Sequence, residues 1–244
     1  MAENPYESTK LLGEYLLFHY GKPDEIMPWS KGPVHALEFP RRTVETLIDQ
    51  LSFRGNSKAL DVGCAVGASS FVLAQYFDHV LGIDYSKKFI DTATTLKRGE
   101  VIEYEYLVEG DFFAKGEAVP PEHRGMIDFQ VGDAVDLPND LMDFDLVHAA
   151  NLICRLPNPK SFLNRLPSLI RPGGQLLLAT PFTWMEEFTV RENWIGSGNS
   201  KEMLKEILQP FFELEFEEDL PFLIREHQRK FQYSVSWGTR WRRM

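Results

Sequence analysis

The sequence predicts an α/β protein with a mostly parallel, seven-stranded sheet that ends in an antiparallel hairpin. Three observations lead there. The small-residue stretch Asp61-x-Gly63-x-Ala65-x-Gly67 separates an apolar strand pattern (Ala59, Leu60, Val62) from a helical one running through Phe71 and Leu73 to Phe77. Later apolar segments end on polar residues: His79 to Tyr85 closes at Asp84, Phe129 to Ala134 at Asp133, and Phe144 to Ala149 runs into Asn151. Near the C-terminus, Phe211 to Phe216 and Lys230 to Trp237 alternate as two strands and would pair as the closing hairpin.

Each element follows from local chemistry. Ser8 or Thr9 caps a first helix in which Leu11, Leu12, Tyr15, Leu16, His19 and Tyr20 fall at helical spacing, and Gly21 ends it. Its leucines suit packing on a core, while Tyr6, Tyr15, Phe18, His19 and Tyr20 suit a lid over a cationic ligand. Residues 23–40 carry four prolines and read as a loop. Arg41 and Arg42 open a helix through Val44, Leu47, Ile48 and Leu51. Arginine gains nothing from a helix N-terminus, so one of the pair is expected to be held by a carboxylate, and the other to be a solvated surface arginine. The organisation is a lid segment over residues 1–40 and a core over residues 41–244, within one domain.

Ser86 caps the helix of residues 86–97, and residues 98–124 read as an insertion with a hairpin strand over Val101 to Val108. Leu152 to Leu156 and Pro159 to Ile170 carry the helix behind the Phe144 strand. Arg171-Pro-Gly-Gly174 introduces the strand Gln175 to Thr180, and Lys201 to Leu208 is the last helix.

Composition narrows the function. The 244 residues suffice for one embellished α/β domain, and a formal charge of -10 opposes general binding to nucleic-acid phosphates. The polar start Met-Ala-Glu-Asn and the lack of a long apolar run argue against a signal peptide or membrane span. Cys64 and Cys154 alone make neither a metal knuckle nor a disulfide framework, which suits a reducing cytoplasm. The histidines show no ligand spacing, so no metal is expected.

The glycine turn lets a ligand approach the backbone and offers free N–H groups at a helix start. No Gly-Lys-Ser/Thr follows, which excludes a nucleotide P-loop, and Ala65 replaces a glycine usual in pyrophosphate loops. Asp84, about 20 residues beyond the glycines, is placed to bind both hydroxyls of a ribose. Together with Asp133 and the Pro-Gly-Gly step, this series resembles the class I S-adenosylmethionine-dependent methyltransferases over residues 40–240. The resemblance implies a Rossmann-like fold and S-adenosylmethionine as cofactor. Gly63, Cys64, Ala65 and Gly67 would cradle the methionyl part, with Arg41 a candidate for its carboxylate. Asp61 would anchor the turn or reach the ammonium group through water. Asp84 would hold the ribose, Tyr85 would flank adenine, and Asp133 with Ala134 would meet its amino group. Asn151 would face the transferred methyl group. The Asn/Asp-Pro-Pro-Tyr/Phe sequence of some amino-methylating members is replaced here by Asn151-Leu-Ile-Cys154, which disfavours nucleic-acid bases.

Outside that core, Tyr6 to Gly21, Phe39-Pro-Arg41, Pro181 to Glu187 and Leu220 to Phe231 resemble the 5-thiohistidine N-methyltransferases of ovothiol biosynthesis. That resemblance implies a histidine substrate bearing sulfur or selenium on its ring, methylated at the side-chain-proximal nitrogen. It also implies a pathway link to a sulfoxide synthase or a selenium-transfer enzyme. Tyr6, His19 and Asn151 are the candidates for orienting the nitrogen, and Tyr15, Trp184, Arg225 and His227 for lining the substrate pocket. Arg225 or Lys230 would take the carboxylate, and Glu7, Glu186 or Glu226 the ammonium. The alternative for Arg225-Glu-His227 is a salt-bridged strand edge. Both terminal stretches are expected to converge over Asn151. Methylation of another small acceptor, or cofactor binding without turnover, are the competing functions.

Overall fold

The computed structural model describes residues 5–50 and 55–244. The polar start before Pro5 and Leu51, the last apolar position assigned to the Arg41 helix, lie outside them. The strands are β1 (Lys58–Val62), β2 (His79–Asp84), β3 (Ile102–Glu109), β4 (Phe112–Ala118), β5 (Met126–Val131), β6 (Phe144–Ala150), β7 (Ile170–Thr180), β8 (Phe212–His227) and β9 (Lys230–Arg243). Seven of them form one sheet in the order β5-β2-β1-β6-β7-β9-β8, while β3 and β4 pair as a separate antiparallel hairpin. Only the β7–β9 and β8–β9 pairings in the large sheet are antiparallel. The predicted fold class is therefore the observed one.

The helices are α1 (Thr9–Tyr20), α2 (Pro23–Ile26), α3 (Phe39–Glu45), α4 (Ala68–Leu73), α5 (Lys87–Lys97), α6 (Pro159–Leu169) and α7 (Ser200–Leu208). Ser8 caps α1 by accepting from the Leu11 amide at 3.2 Å, and Ser86 caps α5 through Phe89 at the same distance. The order reverses at β1, which lies between β2 and β6, so a crevice opens at the carboxyl ends of these strands. Both ends of the chain pack toward that neighbourhood. Leu16, Leu17, Ile26, Met27, Leu37 and Phe39 share one buried cluster with Phe71, Phe222 and Leu223. The second cluster, around Phe162, Leu166, Leu204 and Trp241, fills the opposite face.

Several boundaries differ from expectation, among them β5, which ends two residues before Asp133, and α4, which ends at Leu73 and not Phe77. The proline loop contains α2, where Pro23 occupies the first turn and the Glu25 carboxylate accepts from the Lys22 amide at 2.9 Å. The Arg41 helix starts at Phe39 and ends at Glu45, because Pro40 is tolerated in a first turn. Strand β7 begins at Ile170, before the Pro-Gly-Gly step, with a shift of register against β6. The closing hairpin is far longer than the alternation alone suggested, with 16 and 14 residues in its strands. Its outer half packs on β3, so the insertion and the hairpin support each other: the Gln228 amide donates to the Val108 carbonyl at 3.1 Å. A Cβ on Gly13 would collide with the Glu105 carbonyl, which is why α1 can lie so close to β3. No described helix is long and apolar enough to cross a membrane.

Candidate active site

The turn after β1 is built for a ligand. Gly63, Ala65 and Gly67 all have positive φ (73°, 47° and 90°), a conformation that favours glycine. A side chain at Gly63 would meet Leu152 at 2.9 Å, and one at Gly67 would meet the Phe129 ring at 2.8 Å. The Gly63 and Cys64 amides both donate to the Ile83 carbonyl, at 2.8 and 3.1 Å, locking the turn to the end of β2. Cys64 itself is buried, its thiol beside the Ala65 carbonyl, so its backbone and not its sulfur is what a ligand can meet.

Beneath the turn, Asp61 is 1% exposed and held by three protein donors. Its carboxylate accepts from Ser69 Oγ at 2.7 Å, Ser70 Oγ at 2.6 Å and His148 Nδ1 at 2.7 Å. The register explains the last contact, since Asp61 lies opposite His148 where β1 pairs with β6. His148 Nε2 meets Thr43 Oγ1 at 3.0 Å, which extends the network into α3. Burial pushes the Asp61 carboxyl up, but His148 and the two hydroxyls outweigh it and hold it below its ordinary value. Of the two roles expected for Asp61, the structure supplies the turn anchor.

Asp84 stands at the end of β2. Its two oxygens accept from the Ala65 and Ser86 amides, each at 2.9 Å, and each keeps a lone pair for a ligand hydroxyl. Burial raises its carboxyl to about 6 against the lowering effect of those amides. Tyr85 beside it is 62% exposed. Asp133 is half-buried just past β5, with Oδ1 accepting from the Val135 amide at 3.0 Å and Ala134 buried next to it. Gly132 donates to the Asp84 carbonyl at 2.9 Å, so the two acids sit on adjacent strand ends. These residues fit a nucleoside-bearing cofactor.

Helix α1 roofs the crevice. The Tyr20 hydroxyl donates to the Val66 carbonyl at 2.8 Å, pinning the helix to the glycine turn. The Tyr6 carbonyl accepts from Ser86 Oγ at 3.1 Å, fixing the chain's start beside Asp84. The Tyr6 ring packs against Tyr15, Phe89 and Phe188 with centroids 6.0–6.3 Å away. Between these anchors, His19 is enclosed by Tyr15, Phe18 and Tyr20, and its buried Nδ1 has no partner. Burial lowers His19 to about 4, so its ring is neutral at pH 7. Burial also raises the Tyr6, Tyr15 and Tyr20 phenols, which keeps them as neutral donors. Asn151 adopts a positive φ of 54° directly after β6, and its side-chain oxygen accepts from Ser236 Oγ at 2.6 Å.

Seven expected residues lie elsewhere. Arg41 is exposed and paired with Glu45 at 2.9 Å. Its other electrostatic neighbours include Tyr76, beyond the C-terminal end of α4, whereas the cofactor turn precedes the N-terminal end. Arg225 is buried under the β3–β4 hairpin, donating to the carbonyls of Glu25 and Leu107 and lying over the Tyr106 ring at 5.0 Å. His227 accepts from the Arg229 amide at 3.2 Å within the β8–β9 turn. Ser236 pairs with Leu220, whereas Arg225 pairs five residues farther along, roughly 16 Å beyond the Asn151 contact. The hairpin thus meets Asn151 through Ser236, and not through Arg225 or His227. Trp184 donates to Ser200 Oγ at 3.2 Å and lines a groove of about 640 Å³ beside α7, with Trp194 and Lys201. Lys230 and Glu226 pair with each other, and Glu186 pairs with Arg191, all on the surface.

Sequence reading missed Ser236, the Ser69–Ser70–His148 network, Phe188 and Arg155. Arg155 had a visible signal: it is a charged residue inside the apolar run after Asn151, where a buried helix was expected and a 3₁₀ turn (Ile153–Arg155) forms. Among the described residues no cluster of His, Cys, Asp or Glu could hold a metal ion.

Comparison with known proteins agrees with this geometry. Residues 60–178 match the family described as a methyltransferase domain. Phosphoethanolamine N-methyltransferase 1 of Triticum aestivum is 25% identical over 151 residues, which cover 60% of this chain and 26% of that protein. The ubiquinone biosynthesis O-methyltransferase of Coxiella burnetii is 26% identical over 148 residues, covering 61% and 52%. The chain thus spans about half or less of these relatives. Among solved structures, the N-methyltransferase NodS of Bradyrhizobium japonicum WM9 with S-adenosyl-L-homocysteine has a TM-score of 0.54 at 16% identity, covering 95% of this chain and 98% of that one. A S-adenosylmethionine-dependent methyltransferase of Methanosarcina mazei gives 0.56 at 16% identity, covering 80% and 95%. In strand order and overall architecture this chain has the Rossmann-like fold of these methyltransferases, and over residues 60–178 it is similar to a methyltransferase domain.

Proposed function

We propose that the protein methylates the side-chain-proximal ring nitrogen of 5-thiohistidine or 5-selenohistidine, giving ovothiol A or its selenium analogue. The observation that carries the reading is the roof itself. The stretch Tyr6 to Gly21, which the generic methyl-transfer core does not require, closes over the Asp84 crevice and brings to it a neutral His19 and neutral phenols.

S-adenosylmethionine would supply an electrophilic methyl group on a sulfonium, with a neutral thioether as leaving group. Gly63, Ala65, Gly67, Asp84 and Asp133 would hold it. The chain's remaining task is to align an unprotonated nitrogen with that methyl group. A neutral His19 places no positive charge opposite the sulfonium, and its unpartnered Nδ1 can bond to a ring or ammonium group of the acceptor. As a base of pKa about 4 it is too weak to strip a proton from an ordinary imidazolium at pH 7. A chalcogenolate-substituted ring suits such a site, because its negative sulfur or selenium makes the ring nitrogens electron-rich nucleophiles; as the N–CH3 bond forms and the S–CH3 bond of the sulfonium breaks, the methylated nitrogen gives up its proton to solvent. Asn151, held by Ser236, would orient that ring from the β6 side.

The test is turnover of purified protein with labelled S-adenosylmethionine on 5-thiohistidine, 5-selenohistidine and histidine. Rates on the two chalcogen-substituted acceptors should exceed the histidine rate at least tenfold, about 1.4 kcal/mol in the barrier. Comparable rates on histidine, or transfer only to unrelated amines, would remove this acceptor assignment.

A further inference from the structure

Arg155 stands four residues beyond Asn151, in the turn that leaves β6. Its Nη1 donates to the Thr183 carbonyl at 2.8 Å and the Cys154 carbonyl at 3.2 Å. The guanidinium lies over the Phe188 ring, 4.9 Å from its centre, and the Tyr6 ring also neighbours Phe188. Backbone and ring together therefore hold the group by one edge. The other edge, Nε with Nη2, has no hydrogen-bond partner among the described residues, and no carboxylate pairs with Arg155 there.

Several other arginines are engaged differently. Arg41, Arg171, Arg191, Arg240 and Arg242 each pair with an acid. Arg225 lacks one, but both of its terminal nitrogens are committed to carbonyls. Arg155 alone among these combines a fixed plane with a free two-donor edge, and it lies near enough to Tyr6 and Tyr15, in the roof of the crevice, for its charge to act on both. A guanidinium edge of this kind matches a carboxylate, because two parallel N–H donors meet two oxygens.

We propose that Arg155 is the specificity-determining residue that binds the carboxylate of the acceptor. The proposal rests on the small-molecule methyl-transfer reading and replaces Arg225 and Lys230 in that role. The cofactor's own methionyl carboxylate has the same chemistry, so the test separates the two.

Protein saturated with S-adenosylhomocysteine is titrated calorimetrically with 5-thiohistidine, histidine and imidazole-4-acetate, which bear a carboxylate, and with histamine, which does not. Arg155→Gln should weaken the three carboxylates roughly 10- to 100-fold, the loss of a hydrogen-bonded charge contact. Arg155→Lys should restore part of that loss. Histamine binding and S-adenosylhomocysteine affinity should stay within about twofold, as they would not if the substitution damaged the pocket. Equal weakening of histamine, unchanged carboxylate binding, or a loss confined to S-adenosylhomocysteine would each overturn the proposal. So would a wild-type protein that binds none of the carboxylates. If the wild type binds them but fails to methylate 5-thiohistidine, the acceptor reading falls and Arg155 keeps its role.

Discussion

At the scale of single residues, two aspartates on neighbouring strands illustrate how surroundings divide labour. Asp61 is spent on Ser69, Ser70 and His148, whereas Asp84 bonds only to two amides and keeps capacity for a ligand. Asp84→Ala should weaken S-adenosylmethionine binding by about 1–3 kcal/mol with the fold intact, measured by calorimetry. Because burial raises Asp84 to about 6, cofactor affinity should also fall as pH drops through that value, where the carboxylate gains a proton. The stability term has the opposite sense. The folded state holds this proton more tightly than the unfolded chain, so its contribution is full below about 3.8 and lost as pH rises through about 6. An affinity that stays flat from pH 7 to pH 5 would show that Asp84 does not meet the ribose as an anion.

At the scale of elements, the closing hairpin changes the meaning of its own residues. Arg225 looked like a ligand group because it is a cation in a polar run. It is a peg, donating to carbonyls on α2 and β3 while the hairpin lies across both. Arg225→Ala should therefore lower thermal stability by about 1–3 kcal/mol, leaving two carbonyls unmatched, and should change the acceptor KM little. A large KM rise at unchanged Tm would restore the pocket role. The parallel strands, the glycine turn and the acids at strand ends were legible because alternation, small residues and terminal charges are local properties of the chain. The length of β8 and β9 was not, since their outer halves are set by docking on β3 and by pairing with each other. Ser236 was invisible for the same reason: only the register that puts it opposite Leu220 brings its hydroxyl to Asn151.

At the scale of the whole molecule, the N-terminal segment is no appendage. Leu16 and Leu17 are 1% and 2% exposed and belong to the cluster that contains Phe71 and Phe222. Leu17→Ala should cost about 2–5 kcal/mol of global stability, the price of a core truncation that leaves a cavity. Denaturant unfolding should stay a single transition, with circular dichroism and tryptophan fluorescence coincident. Two separated transitions would mean that the segment folds independently of the sheet. The same integration explains why the net charge of -10 is compatible with the Arg155 edge: local geometry at the crevice, and not the bulk field, selects the ligand.

A roof whose inner face is core cannot swing freely. The Tyr20 hydroxyl fastens one end of α1 to the glycine turn, and lifting the helix would expose two leucines to water. The opposite end leads into the exposed residues 7–10, with the Tyr6 carbonyl bonded to Ser86 and its hydroxyl to Tyr15. Traffic into and out of the crevice should thus pass the Tyr6 end, while the Tyr20 end stays shut. Amide hydrogen exchange would record that asymmetry as fast exchange around residues 6–9 and slow exchange, tied to global opening, around residues 16–20.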